Sequence, residues 1–227
     1  MSTLFLDYDS MGDVELILER KEEPSSAEDP EQNSEDAAVM EFDVGLLTLE
    51  LKKLCLRVSS EKLTSSSHYF QAMFKESRFR ESADLKTNGN TKINLSWPEH
   101  DPSAITIIMG ILHGSSVTLP DQVDLPMLEN IATLVDKYDL RNDVTPHATE
   151  WAEDLLRREK LPKDFNDRLF PWLWISWVFG LKKHFRKLSQ VAQRYSEGPI
   201  DLTDPSIRLP ERVVGKYCEI ALATIPC

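Results

Sequence analysis

The stretch LRVSSEKLTSSSHYFQAMF, Leu56 to Phe74, decides how this chain is read. It joins an apolar, strand-like run to an aromatic, helix-like one through five serines and a threonine. Serine and threonine hydroxyls are suited to the start of a helix, where they accept hydrogen bonds from backbone N–H groups that have no intrahelical partner. The aromatic part carries Tyr69 and Met73 four apart and Phe70 and Phe74 four apart, which places a broad apolar stripe on one side of a helix. Ser65, Ser66 and Ser67 precede His68 directly, but Ser-His-Asp catalysis needs groups that converge in space rather than neighbours in sequence. Helix capping is therefore the favoured role for these hydroxyls, ahead of nucleophilic chemistry.

Upstream, DVELILER (Asp13 to Arg20) alternates Val14, Leu16 and Leu18 against Glu15, Ile17 and Glu19, the pattern of a strand with one strongly apolar face. KEEPSSAEDPEQNSEDAA follows, rich in Pro, Ser and acids, and is expected to form a disordered acidic loop over 21–43. Apolar residues return from Val44 to Val58, so the two β segments can form a hairpin with an enlarged connection, at small entropic expense. Downstream, NGN (Asn88 to Asn90) is turn chemistry. TKINLSW then reads as a short strand with Ile93 and Leu95 on one face.

Three helices are predicted next. Asp101 caps the first, Pro102 opens it, and Ile105, Ile108, Met109 and Leu112 keep helical spacing up to Gly114. LPMLENIATLVDKYDL repeats the pattern through Leu128, Ile131, Ala132, Val135 and Tyr138. A third starts at Thr145-Pro146 and runs to about Lys160. Beyond Pro162 the chain is dense in aromatics, with Trp172, Trp174 and Trp177 close together. The apolar stretch there, Leu169 to Leu181, is too short for a spanning helix, which needs ~20 residues, and is expected to be a buried one. One more amphipathic run spans Pro210 to Ala223.

The formal charge of −12 is uneven: Lys21 to Asp43 holds one lysine against nine acids. An acidic chain is a poor nucleic-acid binder except through a local basic patch, and Lys182, Lys183, Arg186 and Lys187 form one, read as a solvated helix face. Cys55, Cys218 and Cys227 are widely separated, with no metal-binding spacing. The start of the chain has neither a basic n-region nor a long apolar h-region. These features point to the cytoplasm or nucleus rather than to secretion, and to no membrane association.

In this order the segments GDVELIL, LRVSSEKLTSSSHYFQAMF, FRES (Phe79 to Ser82), INL (Ile93 to Leu95), DPSAITIIMGILHG and LENIATLVDKYDL resemble a BTB/POZ domain, over about Gly12 to Arg158. Ser59 follows the strand valine Val58 where many members of that family have histidine, and the acidic insertion is longer than their usual hairpin turn. This version is similar to stand-alone fungal members, which tend to carry a helical C-terminal extension. The resemblance implies an α+β fold: a small sheet flanked by a helical cluster over 12–160, after an N-terminal tail (1–11) and before a helical extension (161–227).

What the resemblance implies for function is protein–protein interaction without catalysis. Members commonly homodimerise through the N-terminal strand and first helices, which here makes Val14, Leu16, Leu18, Tyr69, Phe70, Met73 and Phe74 the candidate interface. Most of these aromatics have a competing role as intradomain core. Some members instead recruit a cullin scaffold as ubiquitin-ligase adaptors, the alternative within the binding class. An uncharacterised hydrolase is the alternative outside it. The sequence carries no G-x-S-x-G elbow, phosphate loop or metal cluster, and His100 and His113 stand isolated, so no catalytic, metal or cofactor residue is expected.

Overall fold

The computed structural model describes residues 2–20, 51–76, 78–97, 99–115 and 119–195. The acidic stretch 21–43 and the run Pro210 to Ala223 lie outside them. The chain is a mixed α+β protein that divides into two compact units, Met1–Pro120 and Asp121–Cys227.

The first unit is built on four strands: β1 (Ser2–Asp7), β2 (Val14–Glu19), β3 (Leu51–Val58) and β4 (Thr91–Ser96), in the order β1-β3-β2-β4. β2 and β3 pair antiparallel, the hairpin expected from the sequence, while β1 runs parallel to β3 and β4 parallel to β2. The register puts Val14, Leu16 and Leu18 opposite Val58, Leu56 and Leu54, and also beside Thr91, Ile93 and Leu95. All nine are buried, so one sheet face is core. Each fully buried aliphatic side chain stabilises such a face by about 1.5–3 kcal/mol. Strand β1 lies within residues 1–11, which the sequence leads one to expect as an N-terminal tail. Leu4 and Leu6 lie beside Leu54 and Leu56 and extend the same face, and the Tyr8 hydroxyl just beyond donates to the Thr106 carbonyl at 2.8 Å.

Between β1 and β2 the chain turns at Asp9, whose carbonyl accepts from Gly12 N–H at 2.7 Å. A Cβ on Gly12 would lie 2.7 Å from the Val58 carbonyl oxygen and 2.8 Å from that of Asp9. Both obstacles are backbone, which cannot swing aside. Gly12→Ala is therefore expected to destabilise by about 1–3 kcal/mol, read as a lower urea midpoint at unchanged slope.

After β3 come α1 (Ser60–Ser66), α2 (His68–Lys75) and α3 (Arg80–Asn88), the last ended by Gly89 in the left-handed region at φ 72°. The NGN turn of the sequence is thus a helix stop leading into β4. Helix α4 (Pro102–His113) begins as expected, with Asp101 accepting from Ala104 N–H at 2.8 Å and Pro102 in the first turn. Ten of its twelve residues are buried, which suits a helix that is apolar nearly all round.

The second unit holds α5 (Leu125–Tyr138), α6 (Arg141–Arg158), α7 (Leu169–Val178) and α8 (Lys182–Tyr195). Asp139, at φ 52°, ends α5, and α6 begins at once, so Pro146 lies inside α6 rather than at its start. Proline is tolerated there because its missing N–H frees only the carbonyl of Asn142, an exposed residue that water can serve. The aromatic run is two helices, broken by Gly180 at φ 67°. α7 packs against α5 and α8, with Trp172 0% exposed and the Trp174 indole N–H donating to Thr133 Oγ1 at 3.1 Å. The division at Pro120 therefore groups α5 and α6 with the tryptophan-rich helix, whereas the sequence reading placed them in a domain reaching residue 160. Among the described residues no helix is long and apolar enough to cross a membrane.

Candidate interaction site

The serines of the opening stretch form a capped corner. Ser59 caps α1, its oxygen in a long 3.5 Å contact with Lys62 N–H. Ser67 ends α1 and caps α2, accepting from Phe70 N–H at 3.2 Å while 98% buried. The Ser65 and Thr64 hydroxyls donate back to the Lys62 and Glu61 carbonyls at 2.8 and 3.0 Å. Each of these hydroxyls serves the backbone, but only Ser59 and Ser67 take the capping role expected from the sequence; Thr64 and Ser65 bond back to carbonyls within α1.

Two residues that the sequence reading did not single out as site residues hold this corner to the sheet. Asp13, just before β2, accepts from Ser60 N–H at 2.8 Å and from the Ser60 hydroxyl at 2.6 Å, and its own carbonyl accepts from Thr91 N–H at 2.9 Å. One residue thereby ties the starts of β2, α1 and β4. His113, at the end of α4, donates from Nδ1 to the Met109 carbonyl at 2.9 Å, and its Nε2 accepts from Ser59 N–H at 3.0 Å. An amide N–H can only donate, so this geometry holds His113 in the neutral Nδ1–H form.

Burial holds the His113 pKa below the ordinary histidine value. The Met109 carbonyl opposes that shift, nearby Lys62 reinforces it, and Asp9 again opposes it. A histidine whose pKa is lower folded than unfolded contributes stability that is full above the unfolded value of ~6.5 and is lost as pH falls toward the folded one. Protonation would also set N–H against N–H at Ser59. His184, on α8, is likewise held low, first by burial, so it adds its own decline on acidification. His113→Gln, which keeps an acceptor but does not titrate there, should flatten part of the wild-type stability loss between pH 7.5 and 5.5, measured by urea unfolding. Parallel curves for the two proteins would remove His113 from the acid response.

The seven residues singled out from the sequence divide sharply. Val14, Leu16 and Leu18 are core of the sheet, and β2 is a central strand between β3 and β4, with no edge to offer. Phe70 and Phe74 turn inward, their rings stacked with centroids 5.9 Å apart. Tyr69 is 44% exposed and meets Phe70 edge-on, and Met73 is half-buried, so only these two reach the surface. The stripe splits because four-residue rows on a helix diverge by one residue's turn: the 70/74 row meets core and the 69/73 row meets solvent.

The strand edges lie elsewhere. Among the described residues β1 has β3 on one side and no strand on the other, and β4 is the opposite edge. On the outer sheet face Phe5, Cys55, Ile17 and Asn94 fall in one row across the four strands. Cross-strand ion pairs flank that row: Lys53–Glu19 at 2.5 Å, Lys92–Glu15 at 2.8 Å and Arg57–Asp7 at 3.5 Å. Cys55 and Ile17 are buried in it, whereas Phe5 is 70% exposed. Burial, reinforced by Glu15, pushes the Cys55 thiol up, away from the thiolate that a reactive cysteine needs. His100 is buried, with Nδ1 2.8 Å from the Ser96 carbonyl. No protein-family model matches the chain, and no curated protein matches it significantly.

Proposed function

We propose that this chain is a non-enzymatic interaction module of the BTB/POZ kind that pairs with a second copy of itself along β1. The observation that carries this reading is the edge of β1, which no strand among the described residues covers, with an exposed phenylalanine at its middle. An open edge is a template for another strand unless charge, proline or a bulge guards it. β4 presents Lys92, Asn94 and Ser96 outward, a polar row, and Lys92 is the kind of residue that guards an edge. β1 presents Thr3, Phe5 and Asp7, with Leu4 and Leu6 half-buried beneath.

A two-fold axis through Phe5 would pair the two β1 strands antiparallel, with Phe5 opposite Phe5 and Thr3 opposite Asp7. Such a contact is self-complementary, the property a symmetric dimer requires. It would extend two four-stranded sheets into one of eight. The order strand, strand, capped helices, strand and Asp-Pro helix, on which the family resemblance rests, recurs in the first unit and supports the same reading. Tyr69 and Met73 add a smaller apolar patch for a partner. Light scattering tests the proposal: the mass should rise from 26.0 kDa toward twice that value as concentration passes through tens of micromolar. A mass that stays at the monomer value to about 100 μM would overturn it.

A further inference from the structure

Helix α8 reads KKHFRKLSQVAQRY, with Lys182, Lys183, Arg186, Lys187 and Arg194 as its charges and no acid at all. Its apolar side is occupied: Leu188 and Ala192 are buried, and Phe185 lies against Trp177 with ring centroids 5.6 Å apart. All five cations are exposed. Lys182, Arg186, Gln190 and Arg194 form one row at four-residue spacing, about 18 Å long, with Lys183 and Lys187 beside it. Among the described residues none of the five makes an ion pair, although shorter-range acid–base pairs are common elsewhere in this unit, as at Arg158–Asp154 and Arg141–Asp136.

This arrangement works against the helix itself. Lys182 and Lys183 sit in the first turn, where the positive end of the helix dipole repels them, and Arg186 and Lys187 follow in the second. Lys182–Arg186 and Lys183–Lys187 are like-charged pairs four apart, which destabilise as well. Natural proteins tend to break such local rules at functional or strained sites. The local potential is also visible at His184, where burial first and then Lys187 hold the pKa low; Glu153 opposes them and Lys183 adds to them.

We infer that the exposed face of α8 is a docking surface for a short acidic polypeptide segment of a partner protein. Carboxylates placed along it would relieve both the dipole repulsion and the like-charge pairs. The choice of a peptide over nucleic acid follows from the rest of the unit. Residues 121–181 carry twelve acids and seven bases, so the five positive charges of α8 face solvent from an otherwise negative body. A long polyanion would run from the cationic row onto that negative surface, while a short acidic segment fits the row alone. The exposed row also lacks aromatic side chains on which bases stack.

The test is fluorescence anisotropy with the full chain and a labelled oligoglutamate peptide at low salt, with a labelled oligothymidylate as the competing probe. Peptide binding is expected, at least tenfold weaker for Lys183→Glu/Arg186→Glu/Lys187→Glu and strongly weakened between about 50 and 200 mM salt. No peptide binding, or binding that the triple variant leaves unchanged, overturns the inference. Tighter binding of oligothymidylate than of peptide overturns the assignment to a polypeptide. The neutral variant Lys183→Gln/Arg186→Gln/Lys187→Gln supplies a second readout that does not depend on a ligand. It should lose the peptide while melting at a higher temperature than wild type, because it removes the repulsion. An unchanged or lower melting temperature would overturn the inference, because the cations would then serve the fold.

Discussion

Trp172→Ala is expected to lower the stability of the second unit by about 3–5 kcal/mol, the range for emptying a buried aromatic site. With urea slopes of about 1–3 kcal/mol/M, that moves the midpoint down by more than about 1 M. The reasons are on α7. Trp172 is wholly buried, and so are Leu169, Leu173 and Ile175 on the same helix, so the emptied volume lies in close-packed interior. α7 also carries the packing of both α5 and α8, so a cavity in α7 weakens the helix on which both rest. Tryptophan fluorescence is the right probe, because four of the five tryptophans, at 151, 172, 174 and 177, lie in this unit.

A paired comparison separates volume from hydrogen bonding. The Trp172 indole N–H is buried with no acceptor among the described residues, so it already bears a desolvation cost. Trp172→Phe removes that donor as it removes volume, and should cost about 1–2 kcal/mol, well under the alanine change. Trp174→Phe instead breaks the bond to Thr133 and leaves that hydroxyl without its donor. It should cost more than Trp172→Phe although Trp172 is the more deeply buried. The reverse order would mean that Trp172 Nε1 finds an acceptor in solution.

The elements that the sequence displayed well are those written in local periodicity or local capping. β2 and β4 alternate, α4 and α5 open on Asp with a proline in the first turn, and Ser67 caps the helix whose stripe follows it. What escaped depends on distance in sequence or on competing punctuation. β1 is six residues whose apolar face makes sense only beside Leu54 and Leu56, some fifty residues on. Thr145-Pro146 reads as a helix start because Thr-Pro is good capping chemistry, yet α6 begins five residues earlier and carries the proline in its second turn.

For the site, the periodicity of residues 69–74 located the apolar stripe but could not say which row faced the core. Likewise the alternation of β2 identified a strand without saying that β3 and β4 would take both of its edges. Asp13 and His113 act across 47 and 54 residues, at positions where an aspartate before a strand and a histidine ending a helix are unremarkable. No periodicity could have named them.

Phe5→Lys is expected to weaken self-association at least thirtyfold, about 2 kcal/mol, while leaving the fold intact. The side chain is 70% exposed on an edge strand, so its replacement takes little from the monomer. In the proposed pair the cost is doubled by symmetry, because each substitution occurs on both copies. The two rings lose their mutual burial, and two ammonium groups come to face each other across strands whose opposing Cβ atoms are about 4.5–5.5 Å apart. Lysine on an edge is also a common natural guard against strand pairing. Met11→Lys is the matched control: Met11 is 88% exposed but lies in the turn after β1, outside the proposed ladder. Light scattering and sedimentation should show a dimer for wild type and Met11→Lys and a monomer for Phe5→Lys over the same concentrations. If Phe5→Lys dimerises as wild type does, the contact is not β1. If Met11→Lys dissociates as well, added charge rather than the strand edge governs association.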